Sequence, residues 1–210
     1  MLGKFIVIEG TDGSGKTTQV QKLVAYLIGK RKHVIATKEP TEASEYSKEI
    51  RKILRSSKDA SDQKEELTKL FVEDRKLHLK EFVEPSLEKG ITVVSDRYHL
   101  STLAYQHTQG MDLNYLMKLH EGMIRPDIMI VIDVDIEEAE KRIKSTNRNV
   151  IEIFENPKEK KFKKALSENY IKIAKKLRDD GENIFIVNGN RSVDEIFENI
   201  KKLVDTVLVS

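Results

Sequence analysis

The sequence predicts a three-layer α/β domain, a five-stranded parallel sheet with helices on both faces. Three observations lead there. Five short runs are continuously apolar and rich in Val and Ile, as suits strands buried on both sides. Between them lie longer segments with apolar residues at i, i+3, i+4 and i+7, the spacing of one helix face. Glycine or proline marks most of the junctions. Alternating strands and helices place successive strands parallel, with the crossovers covering the sheet. At 210 residues the chain lies between one and two domains of ~150 residues. No internal repeat or flexible linker divides it, so one domain over 1–210 is expected.

The elements follow in order. Residues 4–9, Lys-Phe-Ile-Val-Ile-Glu, are the first buried run, and residues 10–15 are a glycine-rich turn. Val20, Leu23, Val24 and Leu27 line one face of a helix from Lys16, which Gly29 can end. Residues 33–37 read as a second strand stopped by Pro40, and Ile50, Ile53 and Leu54 mark a helix over 44–54. Ser61 is a candidate N-cap for a long helix carrying Leu67, Leu70, Phe71, Asp74, Leu77, His78 and Phe82. Pro85 kinks or restarts it. After Gly90, residues 91–95 form a third strand. Helices are expected over 101–107 and 113–123, the second bounded by Gly122 and Arg125-Pro126. Residues 128–133 are the fourth strand. Asp135 with Glu138 three residues on predicts a capped helix through Ser145, and residues 146–157 break the pattern. A helix over 158–178 ends at Gly181, and residues 184–187 are the fifth strand. Ser192 with Glu195 has capping-box spacing for a last helix through Ile196, Ile200, Leu203 and Val207.

Composition narrows the function. Lys and Arg total 37 against 35 Asp and Glu, a net charge of +2, so no nucleic-acid partner is expected. No apolar run approaches the ~20 residues that cross a bilayer, and no signal-peptide layout surrounds residues 5–9, so no membrane partner is expected. The absence of cysteine excludes thiolate zinc sites, iron–sulfur clusters and cysteine nucleophiles. It fits a reducing compartment, and the expected location is cytoplasmic.

One motif carries chemistry directly. Gly10-Thr11-Asp12-Gly13-Ser14-Gly15-Lys16-Thr17, followed by Thr18, satisfies G-x-x-x-x-G-K-[ST], the P-loop. Its glycines let successive N–H groups face an anion, and the following helix adds its positive dipole end. Lys16 would reach the β- and γ-phosphates, and Thr17 would ligate Mg²⁺. A strand before and an amphipathic helix after give the motif its required context. Such a domain can be a kinase, a GTPase-like switch or an ATP-dependent assembly factor. The Asn-Lys-x-Asp segment that reads guanine is absent. Asp96, after Thr92-Val-Val-Ser95, is the candidate second metal residue. Arg97 beside it suits a guanidinium clamping an acceptor phosphate.

From here the chain resembles the thymidylate kinase family. The resemblance rests on Ile8-Glu9-Gly10 through Thr18, then Thr37-Lys38-Glu39-Pro40 and Leu70-Phe71-Val72-Glu73-Asp74-Arg75. It continues with Ser95-Asp96-Arg97-Tyr98, Ser101-Thr102-Leu103-Ala104-Tyr105-Gln106, Pro126-Asp127 and Ile132-Asp133-Val134-Asp135 with Glu138, Ala139 and Arg142. It implies a P-loop kinase fold with a small lid, ATP and Mg²⁺, dTMP as acceptor and a homodimer. Asp12 would face the acceptor's 3′-hydroxyl. Phe71 would stack on thymine and Arg75 bond its carbonyl edge. Arg97 would grip the acceptor phosphate, Ser101 contact the base, and Tyr105 press on the 2′ carbon and exclude ribose. Glu39 and Pro40 match the loop after the second strand, where Lys38 replaces an arginine and Thr41-Glu42 replace glycines. Arg51 is a candidate to supply the missing fork. Family members carry a catalytic base in the P-loop or the lid, and Thr11, Asp12, Gly13 and Ser14 include none. The lid segment, 142–157, offers Arg142, Lys144 and Arg148. Arg142 is expected at ATP and Arg148 at the transferred phosphoryl, so Lys16, Arg97 and Arg148 are the expected catalytic residues. A sister kinase with another base preference, and an ATP-binding switch that transfers nothing, are the alternatives.

Overall fold

A computed structural model describes residues 2–56, 63–145 and 160–208. Its strands are β1 (Phe5–Glu9), β2 (Val34–Lys38), β3 (Thr92–Asp96), β4 (Ile128–Asp133) and β5 (Ile184–Asn188). They form one parallel sheet in the order β2-β3-β1-β4-β5. The register sets Ile8 beside Asp96 and Glu9 beside Val131, so the carboxyl ends of the three central strands open together. That end of a parallel sheet is where ligands bind. The helices are α1 (Lys16–Gly29), α2 (Glu45–Ser56), α3 (Lys64–His78), α4 (Glu84–Glu88), α5 (His99–Thr108), α6 (Leu113–Leu119), α7 (Ile136–Ser145), α8 (Lys160–Asp179) and α9 (Val193–Leu208). Among the described residues no helix is long and apolar enough to cross a membrane.

The pleat of the strands divides their side chains between two cores. Phe5, Val7, Val93, Met129 and Val131 meet Leu100 and Leu103 of α5 and Leu166, Tyr170 and Ile173 of α8. Ile6, Ile8, Val94, Ile130 and Ile132 meet Val20, Leu23 and Leu27 of α1 and Ile196, Ile200 and Val204 of α9. A third, smaller cluster of Ile50, Ile53, Leu54 and Leu67 joins α2 to α3, with Phe71 packed against it. This added pair accounts for length beyond a minimal sheet domain.

Several local expectations are met and several corrected. Ser192 and Glu195 form the capping box: Ser192 N–H donates to Glu195 Oε2 at 3.0 Å, and Glu195 N–H to Ser192 Oγ at 3.3 Å. At α7 the acidic partner does something else. Glu138 pairs with Arg142 at 2.8 Å, and the Asp135 N–H donates to Asn190 Oδ1 at 2.9 Å. The helix expected over 113–123 stops at Leu119, because the His120 N–H turns back to the Met117 carbonyl, the Glu121 N–H to the Lys118 carbonyl, and Gly122 takes a φ of +80°. The long helix changes before Pro85 rather than at it. Residues Leu79–Val83 form a π-helical turn, and Pro85 sits in the first turn of α4, where its missing N–H costs nothing. Ser61 lies outside the described residues, as does the irregular stretch 146–157.

Candidate active site

β1 delivers the chain into the glycine turn and α1 leaves it. Gly13 and Gly15 hold φ of +80° and +94°, a region closed to most side chains. A Cβ on Gly13 would also collide with the Ala139 carbonyl of α7. Lys16 is buried; its Nζ donates to the Thr11 carbonyl at 2.9 Å and lies 3.5 Å from Asp12 Oδ1. Thr17 Oγ1 donates to Asp96 Oδ2 at 2.8 Å, which unites the two residues expected at magnesium. Hydroxyl and carboxylate are the hard oxygen donors this ion takes. Among the described residues no group of three or more His, Cys, Asp or Glu could hold a metal, so an ion here would complete its shell with water and phosphate oxygens.

A second pocket is lined by Glu39, Pro40, Leu54, Phe71, Arg75, Arg97, Ser101, Thr102, Tyr105 and Gln106. Six of these are the expected acceptor residues. The seventh, Asp12, reaches the pocket through an ion pair with Arg97 Nη2. Arg97 joins the two sites. Its Nη1 donates to the P-loop carbonyl of Gly10 at 3.3 Å, to Ser101 Oγ at 3.0 Å and to Tyr170 Oη at 3.0 Å. Burial opposes its charge, but Asp12, Tyr170, Tyr105 and Asp96 outweigh that and hold its pKa well above the ordinary value. Its backbone has a φ of +75°, a conformation that costs a non-glycine residue about 1–3 kcal/mol and clusters at functional sites. The Tyr105 ring lies 5.5 Å from the guanidinium carbon and meets Tyr170 edge-on.

Sequence reasoning missed the residues that hold these groups. Glu9 is fully buried and accepts from Tyr98 N–H at 2.7 Å, Ser101 N–H at 3.1 Å and Ser101 Oγ at 2.7 Å. It anchors the start of α5 where orphan N–H groups gather. Burial pushes its carboxyl pKa up, against Arg97 and these hydrogen bonds. An acid closing an apolar strand was the available signal. Ser101 lines the pocket, but its hydroxyl proton goes to Glu9. Tyr170, from distant α8, left no signal in the motif region.

Arg75 is 2% exposed, and most of its donors are spent within the protein. Nε donates to Glu39 Oε2 at 2.6 Å, Nη1 to His120 Nε2 at 2.7 Å, and Nη2 to the Tyr98 carbonyl at 3.1 Å and Thr102 Oγ1 at 3.2 Å. A guanidinium has five N–H groups, so one on Nη1 remains beyond these bonds. His78 supports Glu39 from the other side, with Nδ1 3.1 Å from Oε1 and Nε2 2.8 Å from Thr37 Oγ1. Gln106 Nε2 donates to the Lys64 carbonyl at 3.3 Å, and its buried Oε1 has no hydrogen-bond partner among the described residues.

The loop after β2 departs from the expectation for Arg51. Its Nη2 donates to the Thr41 carbonyl and its Nη1 to Ser47, so it braces the loop. Lys38 pairs with Glu42 at 2.5 Å on the surface, and Asp74 accepts from Thr41 N–H at 2.8 Å. Arg142 lies against the P-loop, with Nη1 3.5 Å from the Ser14 carbonyl and Nη2 donating to Gly189 at 2.9 Å. Arg148 lies outside the described residues.

A parallel sheet with β1 running into a phosphate-binding turn, and a side-chain pocket facing that turn across Arg97, is the three-layer fold of the P-loop kinases. Within that class the chain belongs to the thymidylate kinase family, whose model matches residues 8–200. It is 36% identical to the probable thymidylate kinase of Thermococcus gammatolerans, over 100% of this chain and 99% of that one. It is 38% identical to the probable thymidylate kinase of Pyrococcus horikoshii, over 97% of both. The thymidylate kinase of Thermosipho melanesiensis is 34% identical, over 97% of this chain and 98% of its own.

Proposed function

We propose that this chain transfers the γ-phosphoryl group of ATP to dTMP, giving dTDP and ADP. The bridge made by Arg97 carries the reading. One guanidinium contacts both the P-loop and the acceptor pocket. A phosphate gripped there would lie beside the triphosphate cradle. Two anion sites sharing an arginine suit transfer between phosphates.

The pocket's polar atoms complement thymine. The Phe71 face would stack on the ring. The remaining Nη1 N–H of Arg75 would donate to a ring carbonyl, and Gln106 Oε1 would accept the ring N–H. Cytosine presents the reverse pattern and would leave both protein groups unpaired, a strong penalty when they are buried. Tyr105 would exclude ribose by contact with the 2′ position.

An acceptor phosphate oxygen attacks the γ-phosphorus in line as the bond to ADP breaks. Lys16, Arg97 and the N–H groups of the turn stabilise charge on the phosphoryl oxygens. Thr17 and Asp96 would hold Mg²⁺, which would supply positive charge against the phosphates. Arg142 flanks the triphosphate turn, and Arg148, in the expected lid segment 142–157, would bring a further cation. Family membership also supports a cytoplasmic homodimer, which sedimentation tests.

Activity is tested by following ADP with ATP, Mg²⁺ and each nucleoside monophosphate in turn. Release that depends on dTMP, and falls at least about tenfold with CMP or dGMP, is expected. Equal release with every base overturns the specificity, and no acceptor-dependent release overturns the transfer.

A further inference from the structure

Arg75 is buried between two partners of different kinds. Glu39 is an acid and accounts for a charge-assisted bond. His120, just past the end of α6, is not. Its Nδ1 lies 2.8 Å from the Leu116 carbonyl, which can only accept, so Nδ1 carries a proton. Its Nε2 lies 2.7 Å from Arg75 Nη1, which can only donate, so Nε2 must be bare. The two bonds together define one state, the neutral imidazole with its proton on Nδ1. A proton on Nε2 would set N–H against N–H at that distance.

We propose that His120 is a positioning residue for base recognition: neutral, it fixes the Arg75 guanidinium from behind, and protonated, it releases it. The inference rests on the acceptor reading above and deepens it. A cavity of about 340 Å³, lined by His120 with Tyr98 and His99, adjoins the imidazole and is where a proton from solvent would arrive. The proton adds to Nε2, and the Arg75 bond to that nitrogen is lost. The groups around the imidazole are Arg75 and Lys76 from α3 and His99 from α5, whose ring centre is 6.0 Å away. Lys118, Glu121, Arg125, Asp180 and Glu182 line the same cavity, with Glu182 Oε1 3.2 Å from His99 Nε2. Burial, then Arg75 and His99, drive the His120 pKa well below its ordinary value, so the neutral state holds at neutral pH.

The test measures kcat and KM for both substrates from about pH 8 down to the lowest pH at which each protein stays folded, in the wild type, His120→Gln and His120→Phe. Phe offers Arg75 no acceptor and is expected to raise KM for dTMP at least about tenfold, with KM for ATP within about twofold. Gln offers an acceptor that never ionises. It is expected to keep a near wild-type KM for dTMP at pH 8 and to lack the wild type's extra rise at the acid end of the range. The wild-type to Gln ratio cancels the titration of the dTMP phosphate itself. An unchanged KM for dTMP in His120→Phe, or a Gln variant that follows the wild-type pH profile, overturns the proposal. A ¹⁵N spectrum of the wild-type imidazole at pH 7 needs no variant: the neutral Nδ1–H form is expected, and an imidazolium or an Nε2–H form overturns it. Absence of any dTMP-dependent ADP from the wild type would instead reject the acceptor reading, and the spectrum would still decide the tautomer.

Discussion

Glu9 and Arg97 show how single residues here work through one another. Glu9 holds the first turn of α5, that turn presents Ser101, and Ser101 and Tyr170 fix Arg97 against the P-loop. Tyr105 is then held between Arg97 and Tyr170, which aims its ring into the acceptor pocket. Tyr105→Ala is expected to raise kcat/KM for a ribonucleotide relative to dTMP at least about tenfold, and an unchanged ratio would reject its part in sugar selection. Glu9 and His120 also make stability depend on pH in opposite senses. Folding keeps His120 neutral below its unfolded pKa of about 6.5, so stability present above that value is lost as pH falls toward the folded pKa. Glu9 has a raised folded pKa, so its ionised form weakens the fold, and the weakness is relieved as pH falls through that pKa. Urea titrations from about pH 7 to about pH 5 are expected to show a loss in the wild type that His120→Gln lacks. A parallel loss in both would assign it to other groups.

At the scale of elements, the P-loop depends on α7 as well as on its own glycines. Gly13 has a positive φ and no room for a Cβ beside Ala139. Gly13→Ala is expected to cost about 1–3 kcal/mol in urea unfolding and to raise KM for ATP more than KM for dTMP. A variant equal to the wild type in both would show that turn and helix part freely. The segment after α7 carries the other expectation. Arg148→Ala should lower kcat more than about threefold, ~0.65 kcal/mol, with little change in thermal stability. A smaller change would remove Arg148 from the chemistry. The acceptor side owes its shape to α3 and the π-helical turn after it. The turn stacks Phe82 on His78, whose other contacts brace Glu39 and Thr37. The helical period of α3 was plain in the sequence. The widened turn was not, because it closes at Val83, before Pro85, and the apolar spacing of the helix does not distinguish a π-helical step from an α-helical one.

Across the whole molecule the sheet separates stability from recognition. The α1–α9 face is apolar and lies across the sheet from the core that α5 and α8 contribute, whose α5 side chains also line the acceptor pocket. Ile200, fully buried in that α1–α9 core, can be cut to Ala with an expected loss of about 2–5 kcal/mol and an unchanged KM for dTMP. A KM that rises with the stability loss would show that the two faces are coupled. The near-zero net charge fits this division, since Lys16 and Arg97 sit at the carboxyl end of the sheet while bases such as Lys22 and Lys30 pair with acids on the surface.

The sequence by itself determined the five strands, the helices that alternate with them and the phosphate turn, and its resemblance to the thymidylate kinase family pointed to six residues that line one pocket. The strands, helices and turn are local signals: apolar period and glycine spacing report what a few consecutive residues do. The tertiary structure alone decided who pairs with whom. Ser101 gives its proton to Glu9, Arg51 braces its own loop, Glu138 leaves its cap for Arg142, and Arg75 spends four N–H groups on partners from three segments. A buried polar group takes whatever partner the packed chain brings within reach, and residues far apart in sequence set that reach.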